Sequence, residues 1–288
     1  MILYFTQKEG LRMLIDFHTH TFPDKVAPAA LRELSERSHT RPCTDGTVQG
    51  LKEAMKRDGV DISVVLPVAT NPAQVEKINR RALEANASSG ETGLISFGAM
   101  HPDYADYKTE LKWLKDNGFK GIKLHPDYQS RLVDDPLMLN IIAEAEALGL
   151  YTTIHAGIDI GYPDDVHCPT TRTRHMVDEL HPTHLILAHT GGWKEWDQVI
   201  ELLTDPALYF DISFSMGRIT PEQFLTILKQ HGSDHMLFAT DSPWDTAAHT
   251  LEELKKLPLT KEQFENICYR TGSKILSFSS TDVGDVSM

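Results

Sequence analysis

Residues of the types that bind divalent metals follow several apolar runs of the sequence. His18 and His20 end Ile15-Asp16-Phe17-His18-Thr19-His20, His155 follows Thr152-Thr153-Ile154, and Asp241 follows Leu237-Phe238-Ala239-Thr240. Imidazole and carboxylate groups are the usual ligands of zinc outside cysteine-rich sites. Each run has the composition of a buried strand, so these polar residues are expected where strands meet loops. We therefore predict one metal site formed by His18, His20, His155 and Asp241.

The spacing of His18 and His20 suits a shared site, because residues i and i+2 of a strand point to the same face. A zinc ion there would lower the pKa of a bound water and make it a nucleophile. Asp241 could bind the metal through one oxygen and accept the proton of that water through the other. The alternative is that Asp241 caps a helix after Pro243, since Asp-Ser-Pro is a common helix entry. Zinc is the expected ion, and Mn²⁺ or Fe²⁺ remains open.

Three further residues could complete the chemistry. Lys123 and His125 lie in Gly121-Ile122-Lys123-Leu124-His125-Pro126, again two residues apart. A lysine in a buried strand is unusual, so Lys123 is expected either to hold an anionic group or to carry a carboxylate that bridges two metals. His189 follows Leu185-Ile186-Leu187-Ala188 and is interpreted as a second-metal ligand or as a residue that polarises the substrate. A buried structural histidine is the alternative reading for His189.

A long segment follows His155 and is rich in glycine, proline and aspartate. Long loops in compact domains are often functional. His167 lies at its end, and Arg172 and Arg174 follow shortly after. These three residues could reach over the pocket and bind an acidic substrate, although an ordinary solvated loop and helix start is an equal alternative for the arginines.

The elements that must position these residues alternate along the chain. Helix-like segments are predicted over 103–117 and 136–148, after a Thr220-Pro221 cap, and over 260–269. Eight strand–helix repeats indicate a (β/α)₈ TIM barrel, with an open doubly wound sheet as the alternative. We expect a single domain over 13–276, an N-terminal extension over 1–12 that could reflect a mis-assigned start, and a polar C-terminal tail over 277–288. The eight apolar runs that suggest strands are 13–17, 63–68, 93–99, 121–124, 151–154, 184–188, 208–213 and 236–239.

Composition narrows the partners. The chain has 288 residues and a formal net charge of −13, which disfavours binding to nucleic acid phosphates. Its three cysteines are widely spaced, which favours a reducing cytoplasm, and no apolar run is long enough to span a membrane. We expect a small anionic molecule as substrate, and a homodimer is left open.

The ordered set of motifs resembles the amidohydrolase superfamily. The resemblance runs from about residue 13 to 276, and it is most similar to the amidohydrolase-related branch that includes the aminocarboxymuconate-semialdehyde decarboxylase group. It implies a (β/α)₈ barrel with one or two metals, ligands at His18, His20, His155 and Asp241, and a polarising role for His189. Lys123 stands where binuclear members carry a carboxylated lysine, whereas His125 departs from that pattern. The motifs are His18-Thr19-His20, Gly121-Ile122-Lys123-Leu124-His125-Pro126, His189-Thr190-Gly191-Gly192 and Ala239-Thr240-Asp241-Ser242-Pro243-Trp244.

The resemblance leaves the reaction open, because members of one fold family perform several reactions. We predict a metal-dependent hydrolase that uses a metal-activated water on a small carboxylate-bearing lactone, amide or ester. Asp241 would act as base, and His189 would stabilise the developing oxyanion. The alternative is a metal-dependent, non-oxidative decarboxylase of an unsaturated or aromatic acid. A barrel that binds metal without catalysis is the second alternative.

Overall fold

A computed structural model describes residues 11–205 and 207–277 of the chain. Within these ranges the chain forms parallel strands that alternate with helices. The strand segments are β1 Ile15–Thr19, β2 Ile62–Val65, β3 Leu94–Ser96, β4 Gly98–Ala99, β5 Gly121–Leu124, β6 Tyr151–Ile154, β7 Leu185–Leu187, β8 Tyr209–Asp211 and β9 Met236–Leu237.

The strands form the predicted (β/α)₈ barrel. Segments β3 and β4 occupy one strand position of the barrel, which is interrupted at Phe97. The backbone N–H of Phe97 donates to the carbonyl of Val65 on β2 at 3.0 Å, an ordinary length for a strand-to-strand hydrogen bond. Pairing runs β1-β2-β3 and then β4 through β9, and every registered pair is parallel. The ring closes between its ends, where the N–H of Phe17 donates to the carbonyl of Phe238 at 2.8 Å. Closure therefore places the first and last strands side by side.

Helices cover the outside of the barrel and follow the expected capping signals. Pro136 begins its helix directly after Asp135, whose side chain accepts from the N–H of Leu137. Thr220 and Gln223 form a reciprocal capping box at the next predicted start. The helices are α1 Ala27–Ser38, α2 Val48–Asp58, α3 Val75–Asn86, α4 Ser89–Thr92, α5 Tyr107–Asp116, α6 Pro126–Gln129, α7 Pro136–Ala147, α8 Thr170–Leu180, α9 Trp196–Leu202, α10 Pro221–His231, α11 Ala247–Lys255, α12 Lys261–Glu265 and α13 Thr271–Leu276.

Most predicted strand and helix bounds differ from the structure by a few residues, and for two of them the local reason is clear. The predicted first strand, 13–17, is displaced to Ile15–Thr19, because the ladder continues to Thr19, which pairs with Val65. The predicted helix over 260–269 is α12 followed by a π-helical segment, Asn266–Arg270. The backbone N–H of Phe238 donates to the carbonyl of Ile267 in that segment, which ties it to the barrel.

The ends of the chain lie largely outside the described residues. Of the predicted extension over 1–12 only residues 11 and 12 are described, and of the predicted tail over 277–288 only residue 277. Both assignments remain predictions. Across the described ranges, none of the helices combines the length and the apolar character that crossing a membrane requires.

Candidate metal centre

Barrel closure brings three of the predicted ligands together. The backbone N–H of Asp241 donates to the carbonyl of His18 at 2.9 Å, so the end of the last strand lies against the end of the first. His20 Nε2 lies 3.1 Å from His18 Nε2 and 3.1 Å from Asp241 Oδ1, and His18 Nε2 lies 3.5 Å from the same oxygen. We call His18, His20 and Asp241 the first donor group.

Hydrogen bonds behind the two rings determine which nitrogens carry protons. His20 Nδ1 lies 2.8 Å from the carbonyl oxygen of Leu66, which can only accept, so Nδ1 must donate. His18 Nδ1 donates to Asp211 Oδ2 at 2.9 Å. When the rings are neutral, the Nε2 atoms therefore present lone pairs that converge on a carboxylate oxygen.

These three lone pairs fit a divalent metal. Three acceptors within 3.5 Å of one another repel unless a cation or proton lies among them. Ligand atoms about 2.1 Å from a tetrahedral zinc are about 3.4 Å apart, which is close to the spacing here. Two histidines, one carboxylate and an open position are also the typical ligand set of a catalytic zinc.

Asp211 is a site residue that the sequence reasoning missed. It lies at the end of β8 with its side chain fully buried. Oδ1 accepts from the backbone N–H groups of His189 and Ser213 at 3.1 and 3.0 Å, and also from the hydroxyl of Ser213. Burial opposes its charge, but His18 and these donors outweigh burial and hold the pKa of Asp211 well below its usual range. An aspartate within the apolar run 208–213 was the signal available in the sequence.

Asp211 therefore orients His18, and we expect its loss to weaken metal binding. Asp211→Asn should raise the Kd for zinc about 10–100-fold, the usual cost of losing a group that orients a ligand. Competition with a chromogenic chelator measures this. Asp116→Asn, an exposed carboxylate paired with Lys112 on α5, is the control and should leave the Kd unchanged. An equal Kd in Asp211→Asn and wild type would contradict the orienting role.

His155 lies in a second group of donor atoms rather than in the first. Its Nε2 is 3.7 Å from Asp159 Oδ2, and the same oxygen is 3.5 Å from His125 Nε2. The rings of His125 and His155 stack with centroids 4.3 Å apart. We call His125, His155 and Asp159 the second donor group. His155 as a fourth ligand of the first metal stays a prediction.

Burial sets the charge state of the second donor group. It is the main reason that the pKa values of His125 and His155 lie well below the ordinary value, so both rings are neutral near pH 7. Burial also raises the pKa of Asp159 to about 7. Asp159 is a second residue that the sequence reasoning passed over, although it lies in the long segment already considered functional.

His189 lies behind His155. Its Nδ1 donates to the carbonyl oxygen of Ser213 at 3.0 Å, and its Nε2 is 2.9 Å from His155 Nδ1. The neutral His189 ring therefore accepts a hydrogen bond at Nε2 from His155 Nδ1. The structure links His189 to the second donor group, and its predicted polarising role is untested.

Lys123 is completely buried and points at the first donor group. Its Nζ lies 3.2 Å from His18 Nε2. Burial lowers the pKa of Lys123 to about 8, so the side chain remains largely protonated at neutral pH. A buried cation beside the metal ligands can bind an anionic group of a substrate.

A cavity of about 1070 Å³ contains both donor groups and Lys123. Its walls are rich in aromatic side chains, and these include Trp193 and Trp244. Away from the donor groups it is lined by cations from the first three helices. The aromatic residues are Phe22, Tyr128, Tyr162, Trp193, Phe214 and Trp244, and the cations are Arg37, Lys52, Lys77 and Arg81.

The three residues expected to reach over the pocket do not line this cavity. Arg172 donates to Asp134 at 3.0 Å, and Arg174 is paired with Asp178 on α8. The backbone N–H of His167 donates to Asp127 at 3.0 Å. These three residues therefore bind other groups on or near α8, and the cations that line the cavity lie on α1, α2 and α3 instead.

Backbone conformation separates the two readings of Asp241. Its φ is 66°, a left-handed conformation that is uncommon outside glycine and is often found at functional sites. The next helix, α11, begins at Ala247, and its cap is Thr246, which accepts from the N–H of His249. The helix-cap alternative for Asp241 is therefore wrong.

The fold and site define a class: a parallel barrel with a histidine–carboxylate group where its strands end. The amidohydrolase family model matches residues 15–278, and the chain belongs to the amidohydrolase family. This confirms the resemblance seen in the sequence. A comparison with curated proteins finds no significant match.

Solved structures share the fold at low sequence identity. A 5-carboxyvanillate decarboxylase from Sphingomonas paucimobilis is 15% identical, with 93% of this chain and 99% of that chain covered and a TM-score of 0.68. A 5-carboxyvanillate decarboxylase from Novosphingobium aromaticivorans, solved with manganese and 4-hydroxy-3-methoxy-5-nitrobenzoic acid, is 12% identical over 94% and 97%, with a TM-score of 0.66. A probable 2-pyrone-4,6-dicarboxylic acid hydrolase from Acinetobacter baumannii is 16% identical over 92% and 99%, with a TM-score of 0.63.

Proposed function

We propose that this chain is a metal-dependent, non-oxidative decarboxylase of an aromatic or unsaturated acid. The observation that carries the proposal is the cavity itself, where aromatic walls surround a buried lysine beside the first donor group. Flat aromatic walls favour a planar substrate, and a buried ammonium favours a carboxylate. Decarboxylases among the structures of similar fold support this reading, which reverses the order of the two reactions expected from the sequence.

His18, His20 and Asp241 would hold the metal, which would supply a positive charge to bind and polarise the oxygens of the acid. The donor atoms of this group support a divalent ion. Activity measured with zinc and with manganese would identify which of the two ions the reaction uses. Lys123 would pair with an oxygen of the acid, and Trp193 and Trp244 would fix the plane of the substrate.

Asp241 is the group we assign to proton transfer. Its Oδ1 belongs to the first donor group, which leaves Oδ2 to carry a proton. In decarboxylation the bond from the substrate carbon to its carboxylate breaks and the electron pair stays on that carbon. The carbon takes the proton from Oδ2, and carbon dioxide leaves. Solvent then restores the proton.

Hydrolysis is the second candidate, and one observation favours it. The same cavity carries four cations on α1 to α3, which suits a substrate with more than one acid group. The structure from Acinetobacter baumannii is described as a probable hydrolase of a dicarboxylic acid. In that reaction Asp241 Oδ2 would instead accept a proton from water.

Isotope incorporation tests the proposal. The protein, loaded with zinc or manganese, is incubated with hydroxylated benzoates, unsaturated dicarboxylates and lactones. We expect one carbon dioxide per acid consumed and, in deuterium oxide, one deuterium on the carbon that lost the carboxylate. Asp241→Asn serves as the inactive control.

Hydrolysis gives a different isotopic result. In oxygen-18 water it places the label in a new carboxylate of the organic product, with no trapped carbon dioxide. Only the organic product is analysed for oxygen-18, because carbon dioxide exchanges oxygen with water. Labelled carboxylate from a lactone, with no carbon dioxide from any acid, would overturn the proposal.

A further inference from the structure

With an aromatic acid as ligand, which rests on the proposed function, we propose that Arg37 and Tyr162 determine how large a substrate the site accepts. They fasten the loop after β6 across the mouth of the barrel, and we call residues 157–168 of that loop the bridging loop. The loop begins after β6, the fifth of eight strand positions, and its Tyr162 contacts Arg37 on α1, the helix that follows β1. In a closed ring of eight strands the fifth position lies opposite the first. The bridging loop therefore spans the opening of the cavity.

The contact between Arg37 and Tyr162 has two parts. The guanidinium carbon of Arg37 lies 4.9 Å from the centroid of the Tyr162 ring, within the range of a cation–π contact, and Arg37 Nη1 donates to the phenol oxygen. Glu33, one turn earlier on α1, accepts from Arg37 Nη2 at 3.0 Å and orients the guanidinium. Gly161 leaves room for this approach, since an added Cβ there would lie 3.1 Å from Arg37 Cδ. The loop and the helix are thus fitted to each other at this point.

The bridging loop is anchored at its base and at this one point of its tip. At the base, the N–H of Gly157 donates to the carbonyl of Cys168 at 2.9 Å, which joins the two ends of the loop. Residues 159–165 form hydrogen bonds with one another, and among the described residues Arg37 is the only hydrogen-bond partner that they have outside the loop. Because one side chain holds the tip, removing that side chain should release it.

Tyr162 is close enough to the site to limit what binds there. Its ring meets Tyr128 edge-on with centroids 5.7 Å apart, and Tyr128 stacks on His125 at 3.9 Å. Residues 158–162 and Arg37 line the same cavity as Lys123.

The volume of the cavity does not by itself restrict the substrate. At about 1070 Å³ it lies at the upper end of the range for small-molecule sites, so it has room for an acid larger than one ring. An acid whose carboxylate pairs with Lys123 can extend outward only as far as the bridging loop allows. Tyr162, held by Arg37, therefore favours acids with one ring over acids with two.

Hydrogen exchange followed by mass spectrometry tests the role of Arg37 in the full chain without any turnover. Arg37→Met keeps an unbranched side chain and removes both parts of the contact. Amide exchange over residues 158–166 should become about 5- to 50-fold faster, as expected from the loss of one cation–π contact and one hydrogen bond. Arg32→Met changes another exposed arginine of α1 and should exchange like wild type. Equal exchange in Arg37→Met and wild type would overturn the proposal.

Ligand size tests the selection itself. Calorimetry measures the Kd of the zinc-loaded protein for benzoate and for biphenyl-4-carboxylate, and circular dichroism confirms that each variant is folded. Tyr162→Ala should shift the ratio of the two Kd values about 10-fold or more toward the two-ring acid, because a clash with the tyrosine ring is removed. Arg32→Met should keep the ratio of wild type. An unchanged ratio in Tyr162→Ala, or a wild type that binds neither acid, would overturn the selection. A shifted ratio without carbon dioxide from any acid would reject the proposed reaction and leave the role of Tyr162 intact.

Discussion

Replacing Asp241 with asparagine should reduce turnover about 10²–10⁴-fold while the barrel stays folded. The size of the effect follows from proton transfer, which a positioned acid or base typically accelerates by that factor. Asparagine keeps the shape of the side chain but cannot carry the proton at Oδ2. The expectation holds for decarboxylation and for hydrolysis, because both use Asp241.

Steady-state kinetics with saturating metal measures this effect. Saturation matters because Asp241 Oδ1 also belongs to the first donor group, so metal loss alone could lower the rate. Asp164→Asn, exposed on the loop after β6, is the control for loss of a carboxylate. A rate within about threefold of wild type at full metal occupancy would reject a role in proton transfer.

Replacing Lys123 with methionine should raise KM for an acidic substrate about 30- to 5000-fold. Methionine approximates the volume of the buried stem and removes the charge. Truncating one partner of a buried charge pair costs about 2–5 kcal/mol, which corresponds to that range of affinity. The lysine is completely buried at 3.2 Å from His18, so solvent offers no replacement charge.

Metal content distinguishes the two readings of Lys123. If the residue binds substrate, Lys123→Met keeps the zinc content of wild type and loses affinity for the acid. If the lysine is carboxylated and bridges two metals, the zinc content falls by half. Lys120→Met, at a partly exposed lysine three residues earlier, should change neither quantity.

Much of the barrel could be predicted from the sequence because its strands are buried on both faces. The runs 121–124 and 151–154 coincide with β5 and β6, and Pro136 and Pro221 mark true helix starts. The family resemblance and the fold are both confirmed. The interruption at Phe97 was not predictable, because the run 93–99 has the pattern of one continuous strand, with Ser96 as its polar residue.

By itself, the sequence determined the residue types at the strand ends: a histidine on β1 and another directly after it, a buried lysine on β5, and an aspartate after β9. Those types follow from local pattern, since alternation along a strand decides which side chains share a face. The tertiary structure alone decided which of them meet. Barrel closure sets Asp241 against His18, and hydrogen bonds across the barrel choose the protonated nitrogen of each ring.

Contacts formed in the folded chain place Asp211 against His18 and Asp159 near His155. Other contacts pair Arg172 with Asp134 and Arg174 with Asp178, so neither arginine lines the cavity. Asp211 acts on a histidine 193 residues away in the chain, a relation that no local spacing encodes. His155 pairs with Asp159 because Gly157 lets the loop backbone approach Trp193. Spacing can identify donor atoms, but their grouping into sites depends on distances that exist only once the barrel has closed.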